Sequence, residues 1–128
     1  VNLLGKAIKQ NPKFAKAYNN RGNAYRDLKQ YQNALNDYNK AIGLNPKFVK
    51  AYSNRGNIYY DQKKYQMAIR DYNKTISLNP KYRLAYLNRG LAYHRLKKNN
   101  LACTDLKKAC QLGECDGINW AKQRGVCK

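Results

Sequence analysis

Carboxylates are scarce in this chain. Its 128 residues hold 7 Asp and Glu against 26 Lys and Arg, a formal net charge of +19, and Glu114 is the single glutamate. One histidine, His94, and two serines, Ser53 and Ser77, leave little material for acid–base or nucleophilic chemistry. No glycine-rich phosphate loop is present either. Neither an enzyme nor a cofactor is therefore expected within these residues. No apolar run approaches the roughly 20 residues that a membrane-spanning helix needs. Phe and Trp number 2 and 1, so 12 tyrosines carry much of the aromatic load of the core. Cysteine is missing until Cys103 and then occurs four times.

What is present is repetition. "AYNNRGNAY" begins at Ala17, "AYSNRGNIY" at Ala51 and "AYLNRGLAY" at Ala85, each 34 residues after the last. Asn11-Pro12, Asn45-Pro46 and Asn79-Pro80 keep the same interval. Within a unit, Tyr18, Arg21, Gly22 and Tyr25, then Ala34, Tyr38, Ala41 and Ile42, recur at steps of three and four, the spacing of one face on each of two helices. Lys29-Gln30 is the polar turn between them. Gly43 suits the end of the second helix and Pro46 the first turn of the next. Each unit is a helical hairpin that cannot bury its apolar face alone, and stacking on neighbours solves this. Gly22, Gly56 and Gly90 stand in mid-helix at a cost of about 1 kcal/mol each relative to Ala. Close approach of the partner helix at Ala34, Ala68 and Ala102 is the expected reason.

Tyr18-x2-Arg21-Gly22-x2-Tyr25…Ala34-x3-Tyr38…Pro46 resembles the tetratricopeptide repeat signature in length, order and spacing, and Tyr52, Arg55, Gly56, Tyr59, Ala68, Tyr72 and Pro80 repeat it. The third unit keeps Tyr86, Arg89, Gly90, Tyr93 and Ala102, then departs, with Leu106 for the aromatic and Glu114 for the proline. The resemblance implies an all-α fold, a right-handed α-solenoid of antiparallel helical hairpins. Residues 1–12 would be the second helix of a truncated unit, 13–46, 47–80 and 81–114 the three units, and 115–128 a capping helix begun at Trp120. The opening at Val1 in mid-unit predicts a preceding segment. The run "DLKKACQLGECDGINWAKQRGVC" is similar to a terminal cap of some bacterial members of the family, which implies a natural end near Lys128.

One departure is systematic. Arg21, Arg55 and Arg89 stand where the family usually has Leu, and Asp37, Asp71 and Asp105 recur in step on the paired helix. Three partly buried Arg–Asp pairs spanning the hairpins are expected. Asn20, Asn54 and Asn88 precede the Arg-Gly pairs on first helices, which in this family line the concave groove. The row is similar to the asparagine ladder that holds extended peptides in some members, since an amide side chain can both donate to and accept from a peptide backbone. Asn23 and Asn57 lie on the same face, and Leu91 breaks that second row. Lys16, Lys50 and Arg95, with Asn19, Arg26, Ser53, Tyr60, Leu87 and His94, are further groove candidates suited to an acidic or mixed peptide. The family's basic clamp for a terminal carboxylate fits poorly, because Asn19, Leu84 and Asn88 stand where basic residues would be needed.

Base composition competes with selection as the source of the charge, for Asn, Lys, Tyr and Ile have AT-rich codons; Glu has them too and is nearly missing. Lys13, Lys47 and Lys81 mark one edge of the array, Lys29, Lys63-Lys64 and Lys97-Lys98 the other, and Lys40, Lys74 and Lys108 the second helices. This is a coat more than a stripe, which argues against sequence-specific nucleic-acid recognition. Non-specific binding of nucleic acid at low salt is expected, and an anionic membrane or an end-to-end homo-oligomer are the other partners weighed. Asn73-Lys74-Thr75 reads as a glycosylation sequon inside a predicted helix and carries little weight. Cys103 and Cys110 replace apolar residues of earlier units, which suits free core thiols. Disulfides are the alternative, and an antiparallel final helix favours Cys103 with Cys127 and Cys110 with Cys115. The spacings lack the close C-x2-C pairs of zinc sites, so no metal is expected. Reduced thiols would suit a soluble cytoplasmic protein, and bonded ones an exported or periplasmic one.

Overall fold

The computed structural model describes residues 13–128. Residues 1–12, read above as a partial second helix, lie outside them. Seven helices and no strand occur among the described residues. They are α1 (Lys13–Asp27), α2 (Tyr31–Leu44), α3 (Val49–Asp61), α4 (Tyr65–Leu78), α5 (Arg83–Arg95), α6 (Asn99–Gln111) and α7 (Asp116–Gln123). Each packs mainly on its sequence neighbours, and α3 also touches α1 and α5 directly. The first helices are thus the more closely spaced layer, the inner side of a curved stack.

The core follows the repeat. Ala34, Leu35 and Tyr38 of α2 pack with Ile58 of α3, flanked by Tyr25, Tyr31 and Tyr59. Tyr18, Ala41 and Ala51 form the counterpart, with Phe14, Ile42, Leu44 and Phe48 against them. Small residues bring helices together and tyrosines fill the remaining space. Two of the three mid-helix glycines have a different neighbour from the one expected, and Gly90 meets Ala102 as expected. A Cβ at Gly22 would lie 2.6 Å from the Tyr38 ring and one at Gly56 2.8 Å from Tyr72. The aromatic edge, not the alanine opposite, forbids a side chain there; at Gly90 the obstacles are the Ala102 carbonyl and Leu106, each at 3.1 Å.

The turns differ from expectation in two places. Gly43 lies inside the last turn of α2, and the helix closes at Asn45. Pro46 precedes the first residue of α3 by three positions, so it belongs to the linker and not to a helix. There the Asn45 side chain accepts from the Lys47 backbone at 3.2 Å, and Tyr52 donates to the Pro46 carbonyl at 2.9 Å. Asn79, Lys81, Tyr86 and Pro80 repeat both bonds. The Asn-Pro pair is therefore an Asx turn held down by a tyrosine.

Disulfides join Cys103 to Cys127 and Cys110 to Cys115. They surround a small core of Leu106, Ile118, Ala121 and Cys127. The cap helix begins at Asp116, four residues before Trp120. Trp120 instead meets His94 edge to face, with ring centroids 5.3 Å apart. Gly117 lets α7 approach, since a Cβ there would lie 2.5 Å from Leu87.

Candidate functional site

The arginine of each first helix is bound to an aspartate across its hairpin, and in the second and third units it is also held from the preceding unit. Arg55 donates Nε and Nη2 to Asp71 at 2.8 and 2.7 Å, and Nη1 to Asn39 of the preceding unit at 3.0 Å. Arg89 does the same with Asp105, at 2.7 Å for both bonds, and Asn73 at 2.9 Å. Arg21 is bidentate to Asp37 at 2.8 and 2.7 Å. Asp37, Asp71 and Asp105 are all buried. Each guanidinium also lies near tyrosine rings: Arg21 by Tyr18 and Tyr25, and Arg89 by Tyr86 and Tyr93, at 5.5–5.9 Å. The bond to Asp71 raises the Arg55 pKa against the opposing effect of burial. Burial pushes the Asp71 carboxyl up while Arg55 pulls it down. Two short parallel bonds support the charged pair, the arrangement in which guanidinium and carboxylate bind most strongly. Every guanidinium nitrogen of Arg55 and Arg89 meets a structural partner, whereas Arg21 is more exposed and its Nη1 has none among the described residues.

The asparagines are a different matter. Asn54 donates Nδ2 to Asn19 of the preceding unit at 2.9 Å, and Asn88 donates Nδ2 to Asn57 at 3.1 Å. Asn20 is exposed and makes no side-chain hydrogen bond to a described residue. Asn23 and Asn57 accept the hydroxyls of Tyr38 and Tyr72 at 2.6 and 2.7 Å. Two more bonds cross between units on this face, Arg26 to Asp61 at 3.1 Å and Arg95 to Tyr60 at 3.3 Å. The inner face is thus stitched unit to unit by amide bonds, which orient its side chains. Amide donors of Asn23 and Asn57 and carbonyl oxygens of Asn54 and Asn88 lack partners among the described residues.

Lys16 and Lys50, both exposed, line a cleft of about 640 Å³ at the first-unit end, together with Asn19, Asn20, Phe48 and Val49. His94, a groove candidate, is turned towards the cap by Trp120 and by a 3.2 Å contact with Asn99. Sequence reasoning missed Tyr38 and Tyr72 as supports of the groove asparagines. A signal for them exists: the unit with Leu91 in place of the asparagine also has Leu106 in place of the tyrosine. Among the described residues, no three His, Cys, Asp or Glu side chains gather as a metal site, and no helix is long and apolar enough to cross a membrane.

Four family models match the chain: tetratricopeptide repeat at residues 3–36, 49–82 and 84–112, and TPR repeat at 22–63. The chain belongs to the tetratricopeptide repeat family, and its fold is the helical solenoid of that family. No curated protein matches it. Among solved structures it is similar to the Arabidopsis OM64 TPR domain, at 29% identity and TM-score 0.85 over 88% of this chain and 94% of that one. The first TPR of Spaghetti (RPAP3), bound to the HSP90 peptide SRMEEVD, is 27% identical over 91% and 92%, with TM-score 0.84. The second TPR domain of human RPAP3, in complex with the HSP70 peptide SGPTIEEVD, is 25% identical over 92% and 99%, with TM-score 0.82.

Proposed function

We propose that the protein is an interaction scaffold that holds an extended peptide, acidic or mixed in charge, along the inner face of its first helices. The observation that carries this reading is the row of oriented amides, with Asn54 and Asn88 each tethered through Nδ2 and offering Oδ1 to a peptide N–H. Asn23 and Asn57, tethered through Oδ1, offer Nδ2 to a peptide carbonyl. Lys16, Lys50 and Arg95 supply positive charge at the two ends of the row. The peptides held by the two RPAP3 domains both end in Glu-Glu-Val-Asp, which supports an acidic ligand for a related groove. No enzymatic role is proposed, in keeping with a family of protein-interaction modules. The two disulfides support work in an oxidising compartment.

A peptide-array screen at near-physiological salt tests this, with acidic, neutral and basic sequences presented to the parent and two variants. Lys16→Ala/Asn20→Ala/Lys50→Ala removes only exposed groups, and is expected to lose acidic peptides while melting with the parent. Asn20→Ala/Asn54→Ala/Asn88→Ala is expected to lose them too. Binding that tracks peptide charge and ignores both sets of substitutions would defeat the proposal.

A further inference from the structure

The three hairpin turns emerge at the edge of the array opposite the Asn-Pro linkers, and they share an unusual backbone. Lys29, Lys63 and Lys97 have φ of 58°, 63° and 61°. Glycine and asparagine adopt this left-handed conformation readily, and other side chains at a cost. After α6 and α7, where the same helix ending recurs, the chain uses Gly113 and Gly125. The three turns at this edge therefore hold lysine where the fold would favour glycine. Lys64 and Lys98 follow directly. Across residues 27–33, 61–67 and 96–101 stand five Lys and two Asp, and one of the two, Asp61, is paired with Arg26.

The same turns carry apolar side chains in water. Leu28, Met67 and Leu101 are 66%, 41% and 49% exposed, and each lies within four residues of a left-handed lysine. The only other large apolar side chain so exposed among the described residues is Leu84, at the opposite edge. Aromatic groups at the turns are not offered for stacking: Tyr31 and Tyr65 are half-buried, and Tyr65 packs against Tyr60.

We propose that this edge docks the protein on an anionic lipid surface, with the five lysines among the headgroups and Leu28, Met67 and Leu101 entering the interface. Lysine stems and aliphatic side chains suit that boundary, and clustered positive charge draws them to acidic leaflets. Nucleic acid would be better met by exposed aromatic faces. The edge is separate from the groove, so a bound peptide and a membrane do not compete.

Cosedimentation with vesicles at near-physiological salt is the test. The parent is expected to bind vesicles containing about 30% phosphatidylserine at least tenfold more tightly than pure phosphatidylcholine. Lys29→Asn/Lys63→Asn/Lys64→Gln/Lys97→Asn/Lys98→Gln keeps residues that tolerate the turn, and should abolish this preference. Lys47→Gln/Lys81→Gln/Arg83→Gln/Lys107→Gln/Lys108→Gln removes equal charge from the Asn-Pro edge and the adjoining end of α6, and should keep most of it. Leu28→Ser/Met67→Ser/Leu101→Ser leaves the charge intact and should weaken vesicle binding several-fold, while leaving homopolymer RNA binding unchanged. Equal losses in both charge variants would reduce the effect to net charge and overturn the proposal. Indifference to the serine substitutions would overturn it as well, as would RNA binding that depends on the turn lysines when vesicles are not bound.

Discussion

In the first two units a tyrosine hydroxyl crosses each hairpin to an asparagine, Tyr38 to Asn23 and Tyr72 to Asn57. In the third, Leu106 occupies the tyrosine register and Leu91 the asparagine register, and Leu106 is fully buried beside the cap. The polar pair and the apolar pair each change together, because a buried hydroxyl without a partner is costly while two apolar groups need none. The third unit can go apolar because α7, Gly117 and two disulfides close its outer side. Asn23 and Asn57 therefore each satisfy a tyrosine behind them, and in the proposed groove their remaining amide would face the peptide.

What the units share should be the most sensitive to change. Asp71→Ala leaves Arg55 half-buried without its carboxylate, and a cost of about 3–5 kcal/mol is expected from removing one partner of such a pair. Asp105→Ala should match it, since both arginine side chains are only 20–23% exposed. Urea denaturation measures both. A cost below about 1 kcal/mol at either site, the range of an exposed pair, would mean that the pair is solvated, and would remove the structural explanation of these arginines.

The staples tie the third unit to the cap. By loop length, opening the Cys103–Cys127 bond, which spans 24 residues, should cost about 3–4 kcal/mol, and opening Cys110–Cys115, which spans 5, about 2 kcal/mol. Alanine pairs at each site, followed by thermal melts, test the order. Hydrogen exchange should place the damage in α5–α7 and spare α1–α3. Damage spread evenly along the array would erase the distinction between stapled and unstapled units.

Most of this architecture was legible in the sequence, and the reason is repetition. Three copies in phase disclose helices, turns and the Arg–Asp register more surely than any one segment could. The helix ends were less legible. Gly43 reads as a stop, yet α2 runs past it because the Asx turn at Asn45-Pro46 ends the helix instead. Trp120 reads as the start of the cap because it keeps the tyrosine spacing, but that register lies inside the helices, as Tyr52 and Tyr86 do in α3 and α5, and α7 begins earlier. The groove was half legible. Asn54 and Asn88 reveal their register but not that each is tied to a neighbour, for a bond between units depends on the stacking angle and not on residue type.

Alkaline pH separates the units by chemistry. Burial pushes the Tyr38 hydroxyl up to about 12, with Arg26 pulling the other way, and it raises Tyr72 further still. The folded state holds these groups neutral, so their contribution is complete below the ordinary tyrosine pKa of about 10 and is lost as pH rises towards and through the folded value. For Tyr38 a rise of this size corresponds to about 2–3 kcal/mol. Lysine deprotonation relieves repulsion in parent and variant alike. Tyr38→Phe should therefore be less stable than the parent at pH 8 and converge on it near pH 12, as followed by urea midpoints. Parallel curves would sink the assignment.

The tyrosine–asparagine pair can be converted into its third-unit form. Tyr72→Leu should cost about 2 kcal/mol, from lost ring contacts and from an Asn57 carbonyl that keeps only Asn88 as donor. Asn57→Leu should cost a similar amount by stranding the Tyr72 hydroxyl. The double variant should recover about 1 kcal/mol of the sum, a coupling read from the double-mutant cycle. Strict additivity would mean that the two registers change independently and that the covariation with Leu91 and Leu106 is accidental.

The smallest effect has the opposite sign. Gly43 has no atom within 4 Å of where a Cβ would stand, although it lies in α2 like any helical residue. Gly56 is in mid-helix too, with the Tyr72 ring 2.8 Å from its missing Cβ. Gly43→Ala should gain about 0.5–1 kcal/mol by reducing the freedom of the unfolded chain. Gly56→Ala meets the same gain with a clash that overpacking makes larger, about 1–3 kcal/mol, so its net change is a loss. The third unit gives the intermediate case. A Cβ at Gly90 meets a backbone carbonyl and a leucine at 3.1 Å, and the leucine can rotate while the carbonyl cannot. Gly90→Ala should therefore fall between the other two. If all three melted alike, helix propensity alone would govern these positions, and tyrosine packing would not be the reason for the glycine that each repeat carries.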